Sequence, residues 1–83
     1  MPAARSAQKK KSAKPYLSVV LPVYNEEDNI RLQYEEIIKA LEPLNISYEV
    51  IFIDDGSADS SPGILRDIAK KDRHIKVVLF RRN

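Results

Sequence analysis

Hydrophobic positions along the chain fall into three short continuous runs, separated by two longer stretches with helical spacing. The runs are Leu17–Val23, residues 48–53 and Ile75–Phe80. Continuous apolar runs bounded by polar turns predict strands. The densest, Val50-Ile51-Phe52-Ile53, predicts a strand buried on both faces, as in a parallel sheet. Between the runs, Ile30, Tyr34, Ile37, Ile38 and Leu41 recur three and four residues apart, the apolar stripe of a helix running to about Leu41. Asn25 is predicted to cap that helix, with Glu26, Glu27 and Asp28 near its positive end, and Pro43 and Asn45 to break it. Ser61 is predicted to cap a second helix that begins at Pro62 and turns Ile64, Leu65 and Ile68 to one side. Strand, helix, strand, helix, strand in that order predicts an α/β fold: a βαβαβ three-stranded parallel sheet with right-handed crossovers.

Composition sets the limits of this picture. With 83 residues the chain is one domain at most. Residues 1–14 are mostly Ala, Ser, Lys and Gln with little to bury, and are read as a disordered basic tail, leaving residues 15–83 to fold. A domain of that size buries a limited share of its surface, and without cysteine neither a disulfide nor a thiolate metal site can brace it. Arg5, Lys9, Lys10, Lys11 and Lys14 give the tail five positive charges and no acid; with +2 for the whole chain, the remainder carries −3. A mildly acidic domain lacks the folded basic face of a nucleic-acid binder, so no nucleic-acid partner is expected. The tail has no apolar stretch of signal-peptide type and no segment is long enough to span a bilayer, which reads as a cytoplasmic chain. His74, with no second histidine or cysteine to join it, reads as a loop residue, and Tyr16 and Tyr48 as packing residues at strand starts.

Candidate chemistry sits where the first two strands stop. The second ends in Asp54-Asp55-Gly56-Ser57-Ala58-Asp59-Ser60-Ser61, the first in Tyr24-Asn25-Glu26-Glu27-Asp28-Asn29. Carboxyl ends of parallel strands are where open α/β sheets bind ligands. Alternation along a strand sends Ile53 and Asp55 one way and Asp54 the other, if the strand persists that far. A carboxylate only accepts hydrogen bonds, which suits the ring N–H of uracil or guanine or a ribose hydroxyl and not a phosphate. Tyr24 offers a face for a base, Pro22 and Val23 a wall, Glu26 an acceptor for ribose. Against this stands a simpler reading, in which Asp54 and Asp55 bond only to local amides of an Asp-Gly turn and Asn25 and Glu26 only serve a helix start.

The two segments Leu21-Pro22-Val23-Tyr24-Asn25-Glu26-Glu27-Asp28-Asn29 and Ile53-Asp54-Asp55-Gly56-Ser57-Ala58-Asp59-Ser60-Ser61 resemble the start of a glycosyltransferase family 2 domain. The similarity runs from about Pro15 to Asn83 and is nearest to the polyprenyl-phosphate glycosyltransferases of the dolichol-phosphate mannose synthase kind. It implies the nucleotide-binding half of a GT-A, Rossmann-like fold. It further implies that Pro22, Tyr24 and Glu26 line the base and ribose pocket, that Ile53 backs the base and that Asp55 contacts it. Asn25, Asp54 and Arg81 are secondary candidates, Arg81 or Arg82 as neighbours of a diphosphate. The donor implied is a GDP- or UDP-linked sugar.

The same resemblance sets expectations about what lies beyond this segment. The family holds Mg²⁺ or Mn²⁺ with an Asp-x-Asp motif further along, where the metal neutralises the leaving diphosphate. No such motif occurs in these 83 residues, so no metal and no catalytic residue are expected here, and a lipid phosphate acceptor at the cytosolic face of a membrane belongs to a longer parent. A truncated domain would leave the outer edge of the first strand bare, a template for self-association. A receiver-like module is a weaker rival, because it needs an acceptor Asp at the end of the third strand, which ends Val78-Leu79-Phe80-Arg81-Arg82. The remaining alternative is a non-catalytic product that binds a nucleotide or a protein partner.

Overall fold

The computed structural model describes residues 15–81; the basic tail and Arg82 lie outside the described residues. The elements are β1 (Leu17–Val23), α1 (Ile30–Leu41), a 3₁₀ turn (Glu42–Leu44), β2 (Tyr48–Asp55), α2 (Ser61–Lys71) and β3 (Ile75–Phe80). The sheet is parallel with order β1-β2-β3, so β2 is central. Leu17 aligns with Tyr48 at one end of the first pair and Val23 with Asp54 at the other.

Both helices pack on one face. Ile30 and Leu41 of α1, and Leu65 and Ile68 of α2, join Val23, Tyr48, Val50, Phe52 and Ile75 in a single core. Consecutive right-handed crossovers that step the same way across a sheet place their helices on the same side. The expectation of a central strand buried on both faces is therefore corrected. Tyr48, Val50, Phe52 and Asp54 are buried, whereas Glu49, Ile51 and Ile53 are only half-buried and Asp55 is exposed. On the opposite face, Val20 is 52 % exposed, Val78 40 % and Phe80 55 %. This open face is an apolar patch rimmed by Ser18, Glu49 and Lys76, where Ser18 Oγ donates to Glu49 and Lys76 Nζ lies 3.4 Å from the same carboxylate.

Helix boundaries differ from the sequence reading in ways that matter for the site. The α1 cap position is Asn29, not Asn25, and α2 is preceded by Ser60 with Ser61 as its first residue. Asn29 N–H and Ile30 N–H both donate to the Glu26 carbonyl, so a tight turn separates strand end from helix start. The break after α1 is where the sequence puts it: Pro43 lies in the 3₁₀ turn and Asn45 takes a left-handed φ of 57°. Tyr48 is packed as expected, but Tyr16 is 82 % exposed, because it precedes the edge strand beyond the reach of either helix.

At the amino end of the sheet a second cluster closes the fold. Tyr34 Oη donates to Asp72 Oδ2 at 2.6 Å, and the His74 backbone N–H donates to Asp72 Oδ1 at 2.9 Å. The His74 ring lies 2.9 Å from the same oxygen and stacks on Tyr48 with centroids 4.2 Å apart. Burial alone would raise the Asp72 carboxyl, but the hydrogen bonds from Tyr34 and His74 outweigh it and hold it below the ordinary value. The Tyr34 phenol is pushed up to about 12, first by that bond and then by burial. His74 thus sits in a turn, as read, with a packing role that its isolation in sequence concealed.

Candidate functional site at the strand carboxyl ends

β1 and β2 deliver their polar ends side by side because Val23 and Asp54 are register partners. The two loops that follow are laced together. Asn25 N–H donates to Ser57 Oγ (2.8 Å), Glu26 N–H to Ser61 Oγ (3.0 Å) and Glu27 N–H to Asp59 Oδ2 (3.2 Å). In return Ala58 N–H donates to Asn25 Oδ1 and Ser60 N–H to Glu27 Oε1, each at 2.8 Å. Five bonds between loops more than thirty residues apart satisfy amides that no ladder or helix could reach.

Local conformation makes this possible. Asn25 sits at φ 50°, a left-handed angle that asparagine tolerates better than most residues. The sequence assigned it a cap; its carbonyl instead reaches across to Ala58. Gly56 at φ 80° turns the chain out of β2. Ser61 is fully buried at the head of α2. Asp59 Oδ1 accepts its N–H at 2.9 Å, so Asp59 does the work expected of a cap. Hydrogen bonding from Ser61 holds the Asp59 carboxyl below its usual range.

The strand persists through Asp55, so the alternation expected of its end is present. Asp54 is 1 % exposed on the helix side, with Oδ1 accepting Ser57 N–H at 2.7 Å. Asp55 is exposed on the other side. Pro22 and Ile53 are register partners on that same open face, and Tyr24, half-exposed, follows at the strand end. Pro22, Ile53 and Asp55 therefore share one face at the ligand edge, with Tyr24 beside them. Glu26 is part-buried at the loop junction, its Oε1 3.4 Å from Asn29 Nδ2. For Asp54 the local-amide reading of the turn holds; Asp55 is exposed on the opposite face of the strand.

The structure also adds residues. A recess of about 580 Å³ opens at the end of β2 and β3, lined by Asp54, Gly56, Ser57, Arg66, Phe80 and Arg81 among others. Asp54 and Arg81 are the sequence candidates that reach it. Arg66 was not singled out, nor were Ser57, Ser61 and Glu27 assigned their cross-loop bonds. The density of hydroxyls and acids after both strands was the available signal, since such residues supply acceptors for stranded loop amides.

An open parallel α/β sheet with a polar cluster at its strand carboxyl ends is the architecture of a ligand-binding α/β protein. The family model described as Glycosyl transferase family 2 matches residues 18–83, and the chain belongs to that family. An uncharacterised glycosyltransferase of Synechocystis sp. is 43 % identical over 67 residues, covering 81 % of this chain and 21 % of that protein. The undecaprenyl-phosphate 4-deoxy-4-formamido-L-arabinose transferase of Proteus mirabilis is 41 % identical over 68 residues, with the same coverages. Among solved structures, a mannosyltransferase from Pyrobaculum calidifontis in complex with GDP-Man and Mn²⁺ superposes with a TM-score of 0.64 and 25 % identity. That match covers 87 % of this chain and 21 % of the other, which is a GT-A glycosyltransferase. The chain thus spans about a fifth of the length of the relatives it matches.

A divalent metal accompanies the solved relative. No group of three or more His, Cys, Asp or Glu side chains comes together among the described residues. Asp54 and Asp55 project from opposite faces of β2 and cannot chelate one ion jointly. Among the described residues no helix is long and apolar enough to cross a membrane.

Proposed function

We propose that residues 15–83 form the nucleotide-sugar-binding part of an inverting glycosyltransferase that transfers a sugar to a polyprenyl phosphate. The observation that carries this reading is the convergence of Pro22, Ile53 and Asp55 on one sheet face at the ligand edge, next to Tyr24. An apolar floor beside an exposed carboxylate suits a flat base that offers an N–H. The nucleotide in the solved relative supports a nucleotide-diphosphate sugar as donor, and the lipid-phosphate relatives support the acceptor class. Glu26 is assigned to the ribose, with Asn25 and Arg81 as flanking contacts. The chain by itself holds a donor half-site: with no metal-binding cluster among its described residues, it is expected not to transfer sugar, and measurable transfer by the purified chain would refute this.

Titration with GDP and UDP, with and without Mg²⁺, followed by amide NMR, tests the binding claim. Saturable shifts at Tyr24, Ile53 and Asp55 that do not depend on metal are expected, with affinity reduced about tenfold or more in Asp55→Asn, which removes one charged acceptor (about 1.4 kcal/mol per tenfold). A dispersed spectrum that neither nucleotide moves would overturn it.

A second reading rests on a separate observation. β1 lies at the sheet edge with Val20 exposed beside it. Among the described residues no strand pairs with its outer edge, and such an edge is a template for strand addition, so a role in self-association or partner binding is also proposed for it.

A further inference from the structure

We propose that the outer edge of β3 and the adjoining face of α2 bind an acidic peptide in extended conformation, which adds to the sheet as a further strand. β3 ends the sheet, and among the described residues no strand pairs with its outer side. Val50 N–H donates to the His74 carbonyl at 2.9 Å, and Val50 aligns with Ile75. In a parallel ladder such a residue bonds to the neighbours of its partner, so His74, Lys76 and Val78 turn their backbone groups toward β2. Ile75, Val77 and Leu79 therefore turn theirs outward. The Ile75 N–H is taken by the Asp72 carbonyl at 3.0 Å. Its carbonyl, and the N–H and C=O of Val77 and Leu79, face the edge.

Beside this edge lies a groove of about 710 Å³, lined by Arg66, Asp67, Lys70, Ile75, Lys76 and Val77 among others. Its one acid, Asp67, is already held by Arg31 at 3.0 Å and Lys71 at 3.4 Å. Arg66 and Lys70 are exposed, one helical turn apart, and make no ion pair among the described residues. A lysine on an edge strand ordinarily discourages a neighbour, but Lys76 reaches back to Glu49 of β2 at 3.4 Å. Gly63, which also lines the groove, leaves a notch in α2: a Cβ there would meet nothing within 4 Å. Glycine weakens a helix relative to alanine. No contact among the described residues calls for it, and its place in the groove gives an incoming backbone clearance.

Edge and groove together select the ligand. Outward N–H and C=O groups at strand spacing fit a peptide backbone, which a nucleic acid lacks. Cations flanking that edge fit carboxylates on the side chains of the added strand. The groove runs beside the first half of β3, whereas the nucleotide edge lies at the strand carboxyl ends, so the inference does not rest on the donor assignment.

Titration of the whole chain with a short peptide of alternating glutamate and valine, blocked at both ends, followed by amide NMR and hydrogen exchange, tests the inference. Expected are saturable shifts and slowed exchange at Val77, with the Lys76 and Val78 amides, already bonded to β2, changing little. The corresponding lysine–valine peptide should bind about tenfold more weakly or worse. So should the glutamate peptide with its backbone amides methylated, a loss that a purely ionic contact would not show. Arg66→Gln combined with Lys70→Gln, both at exposed helix positions, should weaken binding about tenfold. Gly63→Gln fills the notch with a better helix former and should weaken binding without lowering stability. No change at Val77 in a dispersed spectrum, wild-type affinity in the double variant, equal binding of the methylated peptide, or the same protection from a single-stranded oligonucleotide would each overturn the assignment. So would protection of Val77 that follows protein concentration and not peptide, which would give the edge to a second copy of this chain. A spectrum that stays collapsed at saturating peptide would overturn it too, since a ligand that binds only the folded edge must stabilise the folded state.

Discussion

Replacing Tyr34 by phenylalanine removes one hydroxyl and leaves the ring that packs against the core. The lost bond, Tyr34 Oη to Asp72 Oδ2 at 2.6 Å, joins α1 to the turn between α2 and β3. Hydrogen bonds to a charged group contribute about 1.5–3 kcal/mol. Asp72 keeps 17 % of its side chain exposed and can recruit water in place of the phenol, so a loss of about 1–2 kcal/mol is expected near neutral pH. The raised phenol gives a similar figure. A rise from 10.0 to about 12 corresponds to about 2.7 kcal/mol at full weight, and solvent screening of a partly exposed group brings it down to about 1–2 kcal/mol. With a urea slope of about 1 kcal/mol per molar for a domain this small, the midpoint should fall by about 1–2 M.

The pH dependence follows from two shifts of opposite sign. The Asp72 carboxyl is lowered in the fold, so its stabilisation is present above the ordinary carboxylate value and is lost as pH falls through the lowered one. The Tyr34 phenol is raised from 10.0 to about 12, so its stabilisation is complete below 10.0 and is lost as pH rises through about 12. The difference between wild type and Tyr34→Phe should therefore be flat across the neutral range and shrink at both ends. Urea midpoints measured across pH provide the assay, with phenolate absorbance reporting whether one tyrosine fewer titrates late in Tyr34→Phe than in the wild type, since burial raises Tyr48 in both. An unchanged midpoint at neutral pH, or a difference that persists undiminished in strong acid, would refute the reasoning.

Ser61→Ala deletes a fully buried acceptor and leaves Glu26 N–H without it, at a cost of about 1–3 kcal/mol; amide exchange at Asn25 and Glu26 should quicken, and unaltered protection there would count against the cross-loop tie. Phe52→Ala empties the centre of β2, where the side chain is completely buried, and its cost of about 3–5 kcal/mol compares with a total stability of about 3–10 kcal/mol for a domain of this length. Loss of cooperative unfolding by circular dichroism is the expected result, and a variant that still melts sharply would show that the core is not centred on this ring. Val20→Lys places a charge on the exposed face of the edge strand and should shift the sedimentation profile toward monomer; an unchanged distribution would remove this edge from any role in association.

The order of elements was legible because it depends on local pattern. The runs that became β1 and β3 match the structure at both ends, and the stripe from Ile30 to Leu41 became the buried side of α1. The opposed facing of Asp54 and Asp55 was also legible, since a period of two needs only the strand to persist. Asn25 was misread for a reason that lies in its chemistry. The same short amide can cap a helix or occupy a left-handed turn and bond elsewhere, and which it does depends on Ala58, far along the chain but close in space.

Sequence by itself determined the alternation of strands and helices, the strand ends on which polar residues gather, and the identity of those residues. Each follows from interactions within a few positions of one another. Tertiary structure decided the rest: that one sheet face stays open, that Ser57, Asp59 and Ser61 clasp the loop after β1, that His74 stacks on Tyr48, and that Asp54 and Arg66 meet at one recess. Those contacts join residues brought together by the parallel register and by the side on which both crossovers run. A hydrogen-bonding group in a linear sequence has many equivalent partners, and only the packed fold singles one out.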